Sequence, residues 1–278
     1  MKKKTEPERA AQKQAEEIMD RTAPPGEVIY EAIYAEGEHE LHRSWAELAL
    51  SGLAAGLSMG FSMLGEGLLR VYLPAAHWTP LVSKLGYSLG FLIVILGRQQ
   101  LFSKNTLTVI LPLLREKRPR MLVNVARLWT IVFAMNLIGT FVFAWMAAKS
   151  PVFSPEARNE FAKMGEHVLQ AGFGTLLLRG IVAGWLIALM VWLLPFAESA
   201  RIWVIIILSY LIGLGELPHI IAGSVETFYL VCAGTLGFGS FLLRFVLPVL
   251  LGNVIGGVAL VAVGAHAEFF EAEEQKRK

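Results

Sequence analysis

GLGELPHIIAGSVETFYL, residues 213–230, lies inside one of the most apolar tracts of the chain, yet it places Glu216, Pro218, His219 and Glu226 within eleven residues. A helix facing lipid would not carry these groups, because unsatisfied polar atoms in hydrocarbon cost several kcal/mol each. Pro218 has no N–H to give and disfavours helix at the preceding residue, Leu217. The tract therefore reads as a membrane segment broken in its middle, at residues 215–220. Irregular backbone at that depth is tolerated only where protein or a water-filled cavity meets its polar groups.

The rest of the chain supplies the membrane. Of 278 residues, 55% are hydrophobic and 17% charged, with a mean hydropathy of +0.53; a soluble domain carries about 25% charged residues. The charges gather in 1–44, 115–120, 149–166 and 268–278, and the tracts between them match the roughly 20 residues that a helix needs to cross a bilayer. Six apolar stretches result: 45–69, 81–114, 121–148, 170–194, 201–232 and 241–266. The second and fifth are long and interrupted, by GRQQLFSKNT (97–106) and by GELPHI (215–220). Residues 1–25 read as a disordered polar tail and 26–44 as an amphipathic entry helix with Val28, Ile29, Ala32 and Ile33 on one side. Residues 45–266 read as the membrane domain and 267–278 as a second tail. The polar N-terminus does not resemble a secretion signal. Arg115, Lys117, Arg118 and Arg120 crowd one short loop, which with six spans puts both termini in the cytoplasm of a cell whose inner (plasma) membrane holds the chain. A lone cysteine, Cys232, implies neither an intrachain disulfide nor a metal cluster. No cofactor is expected, and the net charge of +2 gives no reason to expect nucleic acid.

The sequence also repeats. Gly52, Ala55 and Gly56 of the first stretch match Gly180, Ala183 and Gly184 of the fourth. Arg127 and Asn136 of the third match Arg244 and Asn253 of the sixth, nine residues apart in each case. Both interruptions fall between these pairs. The expected fold class is thus an all-α polytopic membrane protein: six transmembrane helices in two inverted three-helix repeats, broken at the second and fifth. The start of a half-helix after each break carries partial positive charge and suits anions. Ser103, Asn105 and Thr106 add neutral donors, and Arg98 and Lys104 add positive charge. His219, one residue after the breaking proline, can give or accept a hydrogen bond or pass a proton. Glu66 and Arg179, charged within spans, read first as members of structural pairs. Glu226 reads as a pairing or an interfacial carboxylate, with contact to the pathway as the third option.

At RQQLFSKNT, PHIIAGSVE and GNVIGG the sequence resembles the formate/nitrite transporter family, most closely its YfdC-like branch, over residues 26–266. The resemblance implies an aquaporin-like six-helix fold, a homopentamer with one pore per protomer in the lipid bilayer, and passage of small monovalent anions such as formate, nitrite, hydrosulfide or lactate. It places the family's pore histidine on His219, its loop hydroxyl on Ser103 and its late-helix asparagine on Asn253. The apolar constrictions fall on Tyr87, Phe91, Leu101, Phe102 and Ile212, grouped as Tyr87 with Phe91 on one side of His219 and Phe102 with Ile212 on the other. Four departures stand out: Pro218 replaces the glutamate before the histidine, Gly223 and Gly184 replace asparagines, and Lys104 puts an extra cation in the first loop.

The expected activity is a channel for a small monovalent anion or its neutral acid, with His219 mostly neutral near pH 7 and flux rising as external pH falls. A closed scaffold of the same fold is the alternative. An intramembrane enzyme is the weaker one, since HExxH and GxSxG motifs are absent and Ser103 and His219 lack an evident carboxylate orienter.

Overall fold

A computed structural model of the protein describes residues 26–116 and 118–262, with side chains to residue 259. The tails expected at 1–25 and 267–278 lie outside the described residues, as does the end of the sixth stretch. Every regular element among the described residues is helical.

Helix α1 (Gly26–His42) comes first, and it buries Tyr30, Ile33, Gly37, Glu40 and Leu41. The expected face of Val28, Ile29, Ala32 and Ile33 is only partly correct, since Val28 is 46% exposed. The helix turns its i, i+3, i+7 row onto protein, so Ile33 is shared with a tighter row built on Tyr30 and Gly37. Ser44 then caps α2 (Trp45–Tyr72) through a capping box: it accepts from the Glu47 N–H while the Glu47 carboxylate accepts from the Ser44 N–H. Such reciprocal caps fix where a helix starts.

Five helices are long and apolar enough to cross a membrane: α2, α3 (Thr79–Leu96), α6 (Pro119–Lys149), α8 (Phe173–Leu193, extended to Phe196 by a 3₁₀ turn) and α11 (Phe238–Ala259). Between α3 and α6 lie the short helices α4 (Asn105–Thr108) and α5 (Ile110–Glu116). The fifth apolar stretch is divided into α9 (Arg201–Leu214) and α10 (Ile220–Ala233), each of 14 residues. At about 1.5 Å per residue neither reaches across alone. Two π-helical segments, Phe241–Val246 within α11 and Gly256–Ala262 running past its end, flank an α segment with Pro248 near its start. A proline removes one helical donor and crowds the carbonyl four residues earlier, here that of Arg244 in the first π segment.

The charged segment between the third and fourth apolar stretches is not an open loop. The structure makes it α7 (Pro155–Val168), capped by Ser154, whose hydroxyl accepts from the Ala157 N–H. Phe161 of α7 is fully buried, and a Cβ added to Gly67 of α2 would meet its ring.

Packing pairs α2 with α6 and α8 with α11. Both contacts depend on a missing side chain. A Cβ on Gly56 would collide with the Asn136 carbonyl, and one on Gly184 with the Asn253 carbonyl. At Gly184 this backbone approach leaves no room for the asparagine that the resemblance implies there.

Candidate functional site

Two helix breaks meet at the centre of the molecule. The first begins where Gly97 ends the long helix of α3. Its N–H bonds the Ile93 carbonyl at 2.9 Å, Arg98 N–H the Ile95 carbonyl at 3.1 Å, and Gln99 N–H the Val94 carbonyl at 2.9 Å. The second repeats the pattern: Gly215 to Leu211 at 2.9 Å, Glu216 to Gly213 at 3.2 Å, and Leu217 to Ile212 at 3.0 Å. Arg98 and Glu216 both sit at φ 51°, a left-handed conformation uncommon for residues with a side chain.

Each break is bound to its surroundings by one asparagine. Asn136 accepts from the Phe102 N–H at 2.9 Å, and its amide donates to the carbonyls of Gly52 at 2.7 Å and Gln100 at 2.9 Å. Asn253 accepts from the Ile220 N–H at 2.8 Å and donates to Gly180 at 2.9 Å and Pro218 at 3.1 Å. Both side chains are fully buried. The arrangement satisfies backbone groups that the breaks would otherwise leave bare at membrane depth. It also uses up the Ile220 N–H, and the His219 ring takes the Ala222 N–H, so two donors at the start of the second half-helix are already met.

In this correspondence Leu101 and His219 occupy the same place. His219 is 1% exposed. Its Nδ1 accepts from the Ala222 N–H at 3.2 Å, so the ring itself caps α10. A nitrogen that accepts carries no proton. The neutral ring then has its proton on Nε2, where it is 2.5 Å from Ser103 Oγ. Charging the ring would break the cap, so the geometry favours the neutral tautomer. Phe91 stands edge-on to the imidazole, with ring centroids 5.0 Å apart. His219 and Ser103 are therefore brought together across the two breaks.

Other expected site residues are placed differently. Thr106 donates to the Ser103 carbonyl at 2.7 Å and so holds the loop. Lys104 is not a free cation, because Glu36 of α1 pairs with its ammonium at 2.5 Å. Gln100 is tied beside it, donating to Glu40 of α1 at 2.5 Å and accepting from Asn105 at 2.9 Å. Arg98 is exposed. At the far end of α5, Arg115 pairs with Glu31 and lies 4.5 Å from the centroid of the Tyr34 ring. Burial, helped by the Glu38 hydrogen bond, pushes the Tyr34 hydroxyl up to about 12. The constriction residues regroup as well. Tyr87 and Ile212 line one cavity together, while Phe91 and Phe102 do not line it. The physical reason is that α3 and α9 pack side by side before their breaks, so Tyr87 rests on Gly213. Phe102 packs instead on Trp129 and Phe133 of α6, with centroids 5.7 and 4.9 Å away.

That cavity, of about 60 Å³, has His219 and Pro218 in its wall. It lies towards the end of α2 remote from α1, lined by Glu66, Arg70, Lys84, Arg179 and Glu216, with His167 of α7. Glu66 is fully buried, and its Oε1 meets Arg70 at 2.6 Å and Lys84 at 2.7 Å. Arg179 pairs with Glu216 at 3.5 Å, and His167 Nε2 lies 2.8 Å from the same carboxylate. The pairing expected for Glu66 and Arg179 is thus present with separate partners. Lys84 and His167 were missed from the sequence, since neither spacing nor periodicity links them to Glu66 or Glu216. Among the described residues no group of three or more His, Cys, Asp or Glu side chains could hold a metal.

The formate/nitrite transporter family model matches residues 27–267. The chain belongs to the formate/nitrite transporter family. Membership makes it a membrane protein of a transporter family rather than an enzyme. It is 41% identical over 259 residues to the inner membrane protein YfdC of Escherichia coli strain K12, covering 93% of this chain and 84% of that one. It is 26% identical to the formate channel BtFdhC of Bacillus thuringiensis, covering 87% of this chain and 94% of the other. Among solved structures, its fold is similar to a pentameric formate channel with formate bound (TM-score 0.67, 18% identity, covering 81% of this chain and 98% of that one). It is also similar to an ion channel of the same family (TM-score 0.72, 17% identity, covering 86% and 98%).

Proposed function

We propose that the protein is a channel for a small monovalent anion, formate or nitrite in kind, that crosses the centre together with a proton as the neutral acid. The observation that carries this reading is the contact of His219 Nε2 with Ser103 Oγ at 2.5 Å, between an apolar ring on one side and a charged cavity on the other. A bare anion at this buried point would lose its hydration at a cost of several kcal/mol, while neutral hydrogen bonds return about 1 kcal/mol each. A neutral acid avoids that cost, and it can exchange one hydrogen bond with the His219–Ser103 pair as it passes. Tyr87 and Ile212 narrow the cavity side, and Phe91, Leu101 and Phe102 keep water from the other. Asn253 and Thr106 hold the two breaks open to this geometry, and Arg98 adds positive potential at the first.

The same reading makes α9 and α10 one interrupted span, so that six spans form two inverted repeats. Both termini then lie in the cytoplasm, and the charged cavity opens on the opposite side of the inner membrane. Five protomers, each with its own pore, would expose Leu, Ile and Phe to lipid; native mass measurement in mild detergent tests this, and a stable monomer or dimer contradicts it.

Flux assays in liposomes test the function. Formate, nitrite, acetate, lactate and hydrosulfide would be compared with sodium and potassium across a pH series. Uptake of at least one small anion, rising as external pH falls, with no passage of sodium or potassium, is expected. Cation flux equal to formate flux would refute the anion reading. No flux of any solute would favour the closed scaffold, for which the burial of His219 and the hold of α1 on Lys104 and Gln100 already speak.

A further inference from the structure

The cavity beside His219 contains one carboxyl that the pairs above leave out. Glu226 lies on α10 two turns beyond the histidine, is 6% exposed and lines the cavity. Among the described residues its carboxyl has neither a hydrogen-bond nor an ion-pair partner. The charges near enough to act on it are Glu66, Lys84 and Arg70, and both cations already bind Glu66 Oε1. Glu66 Oε2, fully buried, has no hydrogen-bond partner among the described residues. The remaining titratable groups of the cavity are committed or neutral. Glu216 is met by Arg179 and His167, Tyr87 is a buried phenol, and His219 caps its helix in neutral form.

An ionised carboxylate in this place would be a buried charge without a counter-ion, beside a second carboxylate. The protonated form carries no charge to desolvate there and needs no ion-pair partner. With Glu226 neutral, three cations (Arg70, Lys84 and Arg179) face two carboxylates, and the cavity attracts an anion. With Glu226 ionised that surplus disappears.

We propose that Glu226 is the proton-holding group of the pathway, and that the cavity is the binding site where a small monovalent anion receives its proton before passing His219. The proposal rests on the anion-channel reading and supplies its missing proton donor. In the step, the O–H bond of the Glu226 carboxyl breaks and a new O–H bond forms on the anion. The neutral acid moves on to the His219–Ser103 pair. Glu226, now a carboxylate, takes its proton back from hydronium of the external solution at the mouth of the cavity, which leaves water.

The test is formate flux into liposomes from pH 8 to pH 5.5, with proton uptake followed by a trapped dye, for the full-length protein and for Glu226→Gln and Glu226→Asp. The wild type should carry formate and protons together, with flux rising as pH falls. Glu226→Gln keeps the shape and the positive surplus but has no proton to give. Its flux at pH 7 should fall about tenfold, the effect of roughly 1.4 kcal/mol, and its pH profile should flatten; Glu226→Asp should restore the profile. A wild-type pH profile and proton uptake in Glu226→Gln would overturn the proposal and leave the channel reading standing, whereas absence of flux in the wild type would remove the channel reading itself. A second measurement does not depend on how the variants fold. A hydrophobic carbodiimide modifies protonated carboxyls, so wild-type protein at pH 7 should be labelled at Glu226 and not at Glu66, and entering formate should slow the labelling. Labelling of Glu66 in place of Glu226 would contradict the assignment.

Discussion

Residues 97–102 and 215–220 follow the same backbone path, with the same three hydrogen bonds and the same left-handed residue, and each is fastened by one buried asparagine. What fills the two paths differs at almost every position. Arg98 stands against Glu216, Gln100 against Pro218 and Leu101 against His219. The partners differ to match. Gln100 has an N–H, and Ser51 of α2 accepts from it at 3.0 Å. Pro218 has none, and the residue of α8 that corresponds to Ser51, one before Gly180, is Arg179, which pairs with Glu216 instead. The first break is closed over by α1 through Glu36 and Glu40, while the second opens into a charged cavity. The lesson is that the asparagines and glycines make the shape, and the shape leaves the other positions of the break free to take on separate chemistry.

If the shape depends on the asparagines equally, Asn136→Ala and Asn253→Ala should each cost about 2–4 kcal/mol, because each leaves a buried N–H and two carbonyls unmet. Thermal unfolding in detergent would check this. A large loss for one and almost none for the other would break the equivalence of the two breaks.

The close helix contacts give the next effect. Gly56→Ala and Gly184→Ala push a methyl into a backbone carbonyl in each repeat, and each should lower stability by about 1–3 kcal/mol. Unchanged melting in either variant would show that its helix pair can separate without loss.

The smallest effect is expected at the left-handed residues. Arg98→Gly should be neutral or stabilising by up to about 1 kcal/mol, since glycine accepts φ 51° freely and Arg98 is exposed. Glu216→Gly gains the same relief but leaves Arg179 and His167 without their carboxylate, so it should be the less stable of the two. The reverse order would mean that the Glu216 pairs contribute nothing.

Much of this comparison was legible in the sequence. Pro218 within an apolar run marked the second break, and the nine-residue spacing of Arg127 with Asn136 and of Arg244 with Asn253 marked the repeat, because a proline and a fixed spacing act along the chain. The first break was harder, since GRQQLF contains no proline and its path is held by Ser51 and Asn136 from other helices. The partners of the charged residues could not be read. Glu66 pairs with Arg70 one turn away, which spacing suggests, but also with Lys84 across a loop, which it does not. The role of Lys104 was hidden for the same reason, because its partner Glu36 lies 68 residues away.

The central claim is that two equivalent breaks do unequal work, and that the work falls on His219. The most direct measurement is formate flux in liposomes for His219→Leu beside Leu101→Met, each confirmed as assembled by native mass. The account expects His219→Leu to reduce flux at least about tenfold, the value of one lost hydrogen bond of roughly 1.4 kcal/mol, and Leu101→Met to stay within about twofold of wild type, a volume-conserving change. Wild-type flux in His219→Leu, or an equal loss in both variants, would contradict it.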